Sequence, residues 1–291
     1  MKFQKSIIED VKERKSTRTY DPRAIETNSL DKLQGYIEEI NKEAIAFSMA
    51  NTRFLFMSTN EITNSTINQP LKDTESNEKL GTYGMISGAH SYIIGITDKN
   101  QNNPVKFGYL FEKIILFATD IGLQTCWLGG TFNREDFNKK VTLNDDEYMP
   151  IISPVGYKKD KPRIAEVAIR KAIGADKRKP WEQLFFDESV SMTLDKSKAG
   201  QYKTALEMVR LGPSASNKQP WRVIKKENRF YFFLSRTKGY GAAGFDIQKN
   251  DIGIAMCHFE LAANEAGLDG KWTETCDITI PEDMEYIATW S

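Results

Sequence analysis

F-G-Y-L-F-E-K-I-I-L-F-A-T-D-I-G-L-Q-T-C-W, from Phe107 to Trp127, has a second copy later in the chain, I-G-I-A-M-C-H-F-E-L-A-A-N-E-A-G-L-D-G-K-W, from Ile252 to Trp272. Four positions match at one offset of 145 residues: Gly108 with Gly253, Gly122 with Gly267, Leu123 with Leu268, and Trp127 with Trp272. Two further segments, E-Y-M-P-I-I-S from Glu147 and E-Y-I-A-T-W-S from Glu285, match at an offset of 138. Repeated blocks in the same order indicate an internal duplication.

The two copies predict the same local structure. Apolar residues recur at helical spacing in each copy, at Leu110, Ile114, Phe117 and Ile121 in the first and at Ile254, Cys257, Leu261 and Ala262 in the second. A glycine then ends each helix, as a residue in the left-handed region does, and a short strand with a Trp follows. We interpret the pattern as two halves related by a pseudo-twofold axis, a homodimer folded into one chain. Chance similarity of two helix–strand units is the alternative.

The other elements indicate an α+β sandwich. Helices are predicted over residues 3–13, 30–47 and 197–211, and strands over 53–58, 91–97, 149–155, 221–226 and 230–235. The polar stretch from Thr59 to Gly81 is typical of a long surface loop or lid. The segment from Gly239 to Gly244 predicts a flexible turn, and the boundary between the halves falls near residues 187–195.

Composition excludes several classes of protein. The chain has 291 residues, with 40 Lys and Arg against 40 Asp and Glu, and such a balance argues against nucleic acid or an anionic membrane as the main partner. No apolar run approaches a membrane span, and the N-terminus predicts a helix rather than a signal peptide. Three cysteines without a C-x-x-C pair fit the reducing cytoplasm. Two distant histidines, His90 and His258, give poor support to a metal site or a Ser-His-Asp triad.

Two basic clusters could hold one anion. R-K-S-T-R, from Arg14 to Arg18, places three cations and two hydroxyls within five residues, a combination that suits a phosphate. A-D-K-R-K-P-W-E-Q-L, from Ala175 to Leu184, contains the second cluster. Taken alone, the first cluster is more typical of a solvated basic turn, because short basic clusters are common.

Two glycine- and amide-containing segments could face a flat ligand. G-P-S-A-S-N-K-Q-P-W, from Gly212 to Trp221, allows a close backbone approach and offers the amides of Asn217 and Gln219 to a heteroaromatic edge. C-W-L-G-G-T-F, from Cys126 to Phe132, exposes consecutive backbone N–H groups after a strand. A helix-ending loop and a plain strand-to-helix turn are the alternatives.

Together the four segments resemble the motifs of the nitroreductase family. R-K-S-T-R-T-Y-D-P resembles that family's opening R-R-S-x-R-x-F followed by Pro, and G-L-Q-T-C-W-L-G-G its G-L-G-T-C-W-I-G-G. P-S-A-S-N-K-Q-P-W is similar to P-S-x-x-N-x-Q-P-W, and K-R-K-P-W-E-Q-L to a basic segment ending in P-x-E-E-L. The segments span most of the chain. The resemblance implies the FMN-dependent nitroreductase fold.

The order of the motifs departs from that of ordinary members. The P-S-x-x-N-x-Q-P-W segment is expected soon after the opening motif, but here it stands only in the second half, which lacks R-x-S-x-R. The chain is therefore similar to the fused type called TM nitroreductase. Residues 1–190 would supply the phosphate and glycine contacts, and the shorter half, 191–291, the P-S-A-S-N loop, in one interlocked globular unit with one FMN per chain.

The resemblance implies a set of FMN-binding residues and no catalytic side chain or metal. The phosphate and ribityl end would be held by Arg14, Lys15, Ser16 and Arg18, with Lys177 or Arg178 assisting. Gly129 and Gly130 would offer a backbone N–H to the flavin N5 region, and the ring would be lined by Pro213, Ser214, Ser216 and Asn217.

The implied activity is ping-pong hydride transfer from NAD(P)H through non-covalent FMN to a nitroaromatic, quinone or similar small acceptor. We expect a cytoplasmic monomer, the pseudo-dimer, or a weak homodimer. A flavin-binding or storage module without turnover fits the same motifs. A phosphate- or nucleotide-binding protein without flavin is the third hypothesis, and it leaves the glycine and P-S-A-S-N similarities unexplained.

Overall fold

The structure, a computed structural model, describes residues 2–47, 49, 51–59, 80–241 and 244–291. The predicted lid over 59–81 lies almost wholly outside the described residues, and so does part of the predicted turn over 239–244. The chain forms two compact units. Unit 1 contains residues 1–4, 14–103 and 113–171, and unit 2 contains 5–13, 104–112 and 172–291. The sequence analysis divides the chain between residues 190 and 191 and assigns different cofactor contacts to the two parts. That division stays a prediction.

Seven helices and nine strands occur in the described part of the chain. The helices are α1 (Ile7–Glu13), α2 (Thr27–Ala46), α3 (Pro104–Asp120), α4 (Arg134–Asn138), α5 (Ile164–Ala172), α6 (Lys203–Leu211) and α7 (Ile247–Glu265). The strands are β1 (Arg53–Ser58), β2 (Ser91–Asp98), β3 (Gln124–Thr125), β4 (Glu147–Gly156), β5 (Phe185–Asp187), β6 (Trp221–Lys226), β7 (Arg229–Leu234), β8 (Trp272–Thr273) and β9 (Glu285–Trp290). The predicted α+β class is confirmed.

The duplication is visible in the topology of each unit. In unit 1 the strand order is β1-β2-β4-β3, with every pair antiparallel. In unit 2 the order β6-β7-β9-β8 is the same and is also antiparallel, and β5 adds a parallel strand beside β6. The repeated Glu-Tyr segments begin β4 and β9 in the same register, since Glu147 pairs with Asp98 and Glu285 with Leu234. The predicted duplication is therefore confirmed as a repeated fold.

The predicted glycine stops are confirmed as well. Gly122 follows α3 with φ of 83°, and Gly267 follows α7 with φ of 70°, a region that glycine enters without steric cost. The backbone hydrogen bonds also repeat at the same offset of 145 residues. Leu123 N donates to Ala118 O at 2.8 Å, and Leu268 N donates to Ala263 O at 3.0 Å. Each stop turns the chain from a buried helix into a short edge strand. In the first copy Trp127 lies just beyond β3, whereas Trp272 begins β8.

Within unit 2, the first part of α3 crosses α7 through a reciprocal glycine contact. A Cβ on Gly108 would lie 2.2 Å from the backbone oxygen of Asn250, and one on Gly253 would lie 1.9 Å from that of Val105. Val105 and Asn250 are themselves equivalent at the 145-residue offset. Only glycine allows two helices to approach so closely, and the contact has the self-complementary form of a twofold interface.

The structure corrects three helix starts, of which that of α2 lies at Thr27 rather than Leu30. α1 begins at Ile7 rather than Phe3, because the Ser6 hydroxyl accepts a hydrogen bond from Ile8 N at 3.2 Å and so caps the first turn. α6 begins at Lys203 rather than Ser197, because a 3₁₀ turn precedes it in which Gly200 has φ of 57°. No described helix is both long and apolar enough to cross a membrane. Within the same residues, no group of three or more His, Cys, Asp or Glu could hold a metal ion.

Candidate functional site

In unit 1, the structure brings the first basic cluster next to the cysteine–glycine segment. Ser16 and Thr125 form a parallel β-bridge, and Thr17 N donates to Thr125 O at 2.9 Å. These residues are more than a hundred positions apart, yet their backbones are fixed against each other. The two segments that resemble the family's opening and glycine motifs therefore meet in one unit.

The two arginines of this cluster are buried, which a solvated basic turn would not explain. Arg14 is 6% and Arg18 is 7% exposed. Among the described residues, Nε and Nη1 of Arg18 have no hydrogen-bond partner. A buried guanidinium loses its hydration and needs compensating acceptors. The Arg18 side chain is therefore suited to an anion with several oxygen acceptors.

Cys126 lies against the same arginines. Burial raises the pKa of its thiol, and the charges of Arg18 and Arg14 together with a hydrogen bond from Ser16 offset part of that rise. Because burial dominates, the thiol stays protonated and behaves as a small apolar group. Cys126 and Cys257 are both buried in the core, with 1% and 0% exposure.

The glycine segment leaves its backbone open. Gly130 is exposed, and a Cβ added to it would meet no atom within 4 Å. Arg134 fixes Gly129, the residue before Gly130. Its Nη2 donates to Gly129 O at 2.7 Å, and its Nε donates to Met149 O at 3.0 Å. The carbonyl of Gly129 is thus engaged within unit 1.

Two charged residues of α5 near this cluster were missed by the sequence analysis. Arg170 Nη1 donates to Ser16 O at 3.3 Å. Glu166 is 6% exposed, its Oε2 lacks a hydrogen-bond partner within the described ranges, and its charge raises the pKa values of Tyr20 and Cys126. No signal in the sequence pointed to them, because α5 has its apolar Ile164 and Val167 exposed and its acid buried, the reverse of an ordinary amphipathic helix.

In unit 2, the P-S-A-S-N loop has an unusual backbone. Ser216, Asn217 and Gln219 have φ of 46°, 55° and 50°, a region that side-chain-bearing residues rarely adopt and that costs free energy. Gln219 N donates to Ser214 Oγ at 2.8 Å, and Tyr240 donates its hydroxyl hydrogen to Ser216 Oγ at 2.9 Å. The loop is therefore held in one specific shape by its own side chains and by Tyr240.

The second basic cluster lies directly against this loop. Asn217 Nδ2 donates to Gly174 O at 2.7 Å and to Lys177 O at 2.9 Å. Arg178 donates from Nε and Nη2 to Leu211 O at 3.2 and 3.1 Å, and from Nη1 to Ala175 O at 2.8 Å. Unit 2 thus brings the other two predicted segments together, and the side chains of Arg178 and Asn217 form hydrogen bonds between them.

The expected ligand contact of the Gln219 amide is wrong. Gln219 is 3% exposed, its Oε1 accepts from Lys179 N at 2.7 Å, and its Nε2 donates to Asn217 Oδ1 at 3.0 Å. Its amide is thus fully used inside the protein. Lys177 is exposed, so its side chain remains available to an anion.

A buried acid, Asp251 of α7, accepts a hydrogen bond from the backbone of the P-S-A-S-N loop. Both of its carboxyl oxygens lie 3.1 Å from Ala215 N, which donates to them, and Asp251 is 1% exposed. Burial raises the pKa of this carboxyl well above its ordinary value, the charges of Asp246 and Glu112 raise it further, and the Ala215 bond lowers it. Burial favours the neutral acid, which still accepts the Ala215 hydrogen bond.

We expect Asp251→Asn to stabilise the protein at pH 7 and to preserve the loop. The raised folded-state pKa means that the carboxyl's stabilising contribution is complete below the unfolded pKa of about 3.9 and is lost as pH rises toward the folded value. The gain in unfolding free energy should therefore shrink as pH falls toward 4. Denaturant unfolding at both pH values measures it, and a gain independent of pH would contradict the assignment. Asp251→Leu is the control, because it removes the acceptor and should speed hydrogen exchange at Ala215 N.

His258 lies near the start of the loop, since a Cβ on Gly212 would be 3.7 Å from its Nδ1. Its Nε2 lies 2.8 Å from Glu112 Oε1 and its Nδ1 lies 3.0 Å from Met208 O, and both His258 and Glu112 are 0% exposed. A carbonyl oxygen only accepts, so Nδ1 carries a hydrogen. Nε2 and Oε1 therefore share one proton in a buried pair that joins α3, α6 and α7 within unit 2.

The family described as "Putative TM nitroreductase" matches residues 6–263. A Thermotoga maritima MSB8 protein described as a putative nitroreductase superposes with a TM-score of 0.51 at 19% identity, over 100% of this chain and 94% of its own. That likeness concerns the fold.

Shorter proteins match about half of the chain. A nitroreductase family protein of Clostridium novyi NT matches at 19% identity and a TM-score of 0.39, over 56% of this chain and 90% of its own. A Bacteroides fragilis nitroreductase with bound FMN matches at 16% identity and a TM-score of 0.38, over 55% and 92%. Among curated proteins, none matches the chain. The match over residues 6–263 places this chain in the TM nitroreductase family.

Proposed function

We propose that the protein is an FMN-dependent oxidoreductase that takes hydride from NAD(P)H and passes it to a small acceptor such as a nitroaromatic or a quinone. The observation that carries the proposal is the buried Arg18 guanidinium, whose Nε and Nη1 lack partners within the described residues. It stands beside the Ser16–Thr125 bridge, at the entry to the glycine segment. A buried donor set of this kind needs an anionic ligand.

Unit 1 would hold the phosphate and the reactive side of the cofactor. Arg14 and Arg18 would bind phosphate oxygens, and Ser16 with Lys15 would contact the phosphate and ribityl end. Gly129 and Gly130 would supply a backbone N–H to the N5 region. The open space at Gly130 fits this role, because a side chain there would separate the backbone from a flat ligand.

Unit 2 would supply the lining of the ring, from Pro213, Ser214, Ser216 and Asn217. The strained, internally bonded loop is pre-organised for this task, since a fixed loop loses little entropy on binding. Lys177 is the candidate for assisting the phosphate. Arg178 donates to three backbone oxygens and to Asn217, so we assign it mainly to holding the loop.

The chemistry belongs to the cofactor, which when bound accepts and donates hydride at N5. The protein's own residues bind the phosphate, orient the ring and exclude water from it. No side chain is required as a nucleophile or base, and the buried, protonated Cys126 is not assigned one of these roles.

Flavin stoichiometry and turnover test the proposal in one preparation. We expect the purified chain to be yellow, with one FMN per chain, and the colour to bleach under NADH or NADPH without oxygen and to return with a quinone or nitroarene. Absorbance spectra and solution mass give these values. Colour that persists in excess NADH and NADPH would favour flavin storage without turnover. A colourless chain that does not take up added FMN would exclude both functions.

A further inference from the structure

An exposed aromatic side chain in unit 1, that of Tyr83, has no part in the proposed cofactor contacts. Tyr83 is 70% exposed, and its backbone has φ of 47°. A bulky residue rarely adopts that conformation, which costs free energy and occurs most often at functional sites. Packing of the core therefore does not explain why a tyrosine occupies this position.

The turn that carries Tyr83 is well defined. Met85 N donates to Thr82 O at 2.8 Å, and both central residues, Tyr83 and Gly84, have positive φ, as in a type I′ turn. Arg163 holds the turn in place, since its Nη2 donates to Gly84 O at 3.1 Å and to Met85 O at 3.2 Å. A type I′ turn favours Asn, Asp or Gly at its first central position. The turn itself therefore does not select a tyrosine either.

The chain on either side of this turn is bonded to both motifs of the candidate site in unit 1. On one side, Ser87 N donates to Arg18 O at 2.9 Å. On the other side, Asn133 N donates to Gly81 O at 2.7 Å, and Gly81 N donates to Asp136 Oδ2 at 2.9 Å. The turn therefore joins the backbone of the buried arginine to the start of α4, which follows directly after the glycine segment.

Arg134 connects the start of α4 to the glycine segment. Its Nη2 donates to Gly129 O at 2.7 Å, next to Gly130, where an added Cβ would meet no atom within 4 Å. Burial lowers the pKa of Arg134, and the phenol groups of Tyr148 and Tyr83 offset part of that fall. An exposed aromatic ring and an open stretch of backbone therefore lie in the same part of unit 1.

We propose that the Tyr83 ring selects planar aromatic electron acceptors by stacking against them beside the glycine segment. The inference rests on the proposed function, which assigns Gly129 and Gly130 to the N5 region of the flavin. Quinones and nitroaromatics are flat, electron-poor rings, and a phenol ring offers them an electron-rich face. The reduced nicotinamide ring is electron-rich, so this stacking favours the acceptor over the reductant. The turn fixes the backbone of Tyr83, and a tyrosine side chain has only two torsions, so binding costs little conformational entropy.

The acceptor specificity of Tyr83→Ala tests the proposal. Ferricyanide accepts electrons but has no aromatic ring, so it is the reference acceptor. We expect the kcat/KM for menadione, a planar quinone, divided by that for ferricyanide, to fall about tenfold in Tyr83→Ala, because stacking and buried ring area are lost. Tyr83→Phe keeps the ring and should retain most of the ratio. Ile45→Ala, a control at another exposed apolar residue of unit 1, at 64% exposure, should keep the ratio within about twofold.

Equilibrium dialysis of the purified chain against menadione gives a second measurement that does not depend on turnover. Tyr83→Ala should bind menadione about tenfold more weakly than the unmodified protein, and Tyr83→Phe should bind it with similar affinity. An unchanged acceptor ratio or an unchanged menadione affinity in Tyr83→Ala would overturn the proposal. A lower kcat/KM for NADH or NADPH with an unchanged acceptor ratio would place the ring against the reductant, and the proposal would be wrong. If Tyr83-dependent menadione binding occurs without any turnover, the proposed function fails and the stacking site stands.

Discussion

Replacing both Arg14 and Arg18 with alanine is expected to weaken FMN binding by about a hundredfold or more. Each hydrogen bond to a charged group contributes about 1.5–3 kcal/mol, and each 1.4 kcal/mol is a factor of about ten in affinity. Both side chains are buried, at 6% and 7% exposure, so water replaces the lost contacts poorly. The effect should therefore lie at the upper end of that range.

Fluorescence titration of FMN into the flavin-free protein measures this loss. The matched control is Lys158→Ala with Lys161→Ala, which removes two exposed cations of the same unit and should leave the dissociation constant unchanged. Circular dichroism must show a folded double variant, and Arg14→Lys with Arg18→Lys, which keeps the charge, should restore part of the affinity. Full flavin occupancy in a folded Arg14→Ala with Arg18→Ala protein would remove this cluster from the cofactor site.

Replacing Glu112 or His258 with alanine is expected to destabilise the protein by about 3–5 kcal/mol. Both side chains are 0% exposed and 2.8 Å apart, and removal of one partner leaves the other buried with an unpaired charge or proton. Glu112→Leu combined with His258→Leu should cost less than either alanine variant, because the double variant buries no unpaired ionisable group and loses only the hydrogen bond from His258 to Met208 O.

Denaturant unfolding with linear extrapolation gives these free energies. Lys198→Ala is the control: it breaks an ion pair with Asp187 in which Lys198 is 63% exposed, and exposed pairs contribute about 0–1 kcal/mol. If Glu112→Ala costs no more than Lys198→Ala, the buried pair does not support the fold. If the two leucines cost the sum of the single losses, the two residues act independently.

The parts of the fold that depend on neighbouring residues were predictable from the sequence. Gly122 and Gly267 end their helices as expected, because a helix stop is decided within a few positions. The two Glu-Tyr segments begin equivalent strands for a similar reason: a short run rich in apolar, β-branched and aromatic residues favours a strand. Because the sequence is repeated, the same strand topology was expected in both halves, and both units have it.

The parts that depend on distant residues were not predictable. Glu112 and His258 are 146 positions apart, and the helical pattern around each is that of an ordinary core helix. Asp251 likewise gives no local sign that it holds Ala215 N. Asn217 was expected to face a ligand, yet its amide nitrogen meets the oxygens of Gly174 and Lys177. The resemblance between motifs indicated which segments matter, and only tertiary structure shows which donors inside them are already used.

The reciprocal glycine crossing has a consequence for how the chain folds. Gly108 packs against the backbone of Asn250, and Gly253 against that of Val105, so the contact joins segments that are separated by about half of the sequence. Contacts between distant segments slow folding, because a long loop must close before they form. During synthesis, the first part of α3 emerges well before α7 exists. We therefore expect this helix face to stay exposed on the ribosome until synthesis is nearly complete, and to be the surface on which the nascent chain needs a chaperone.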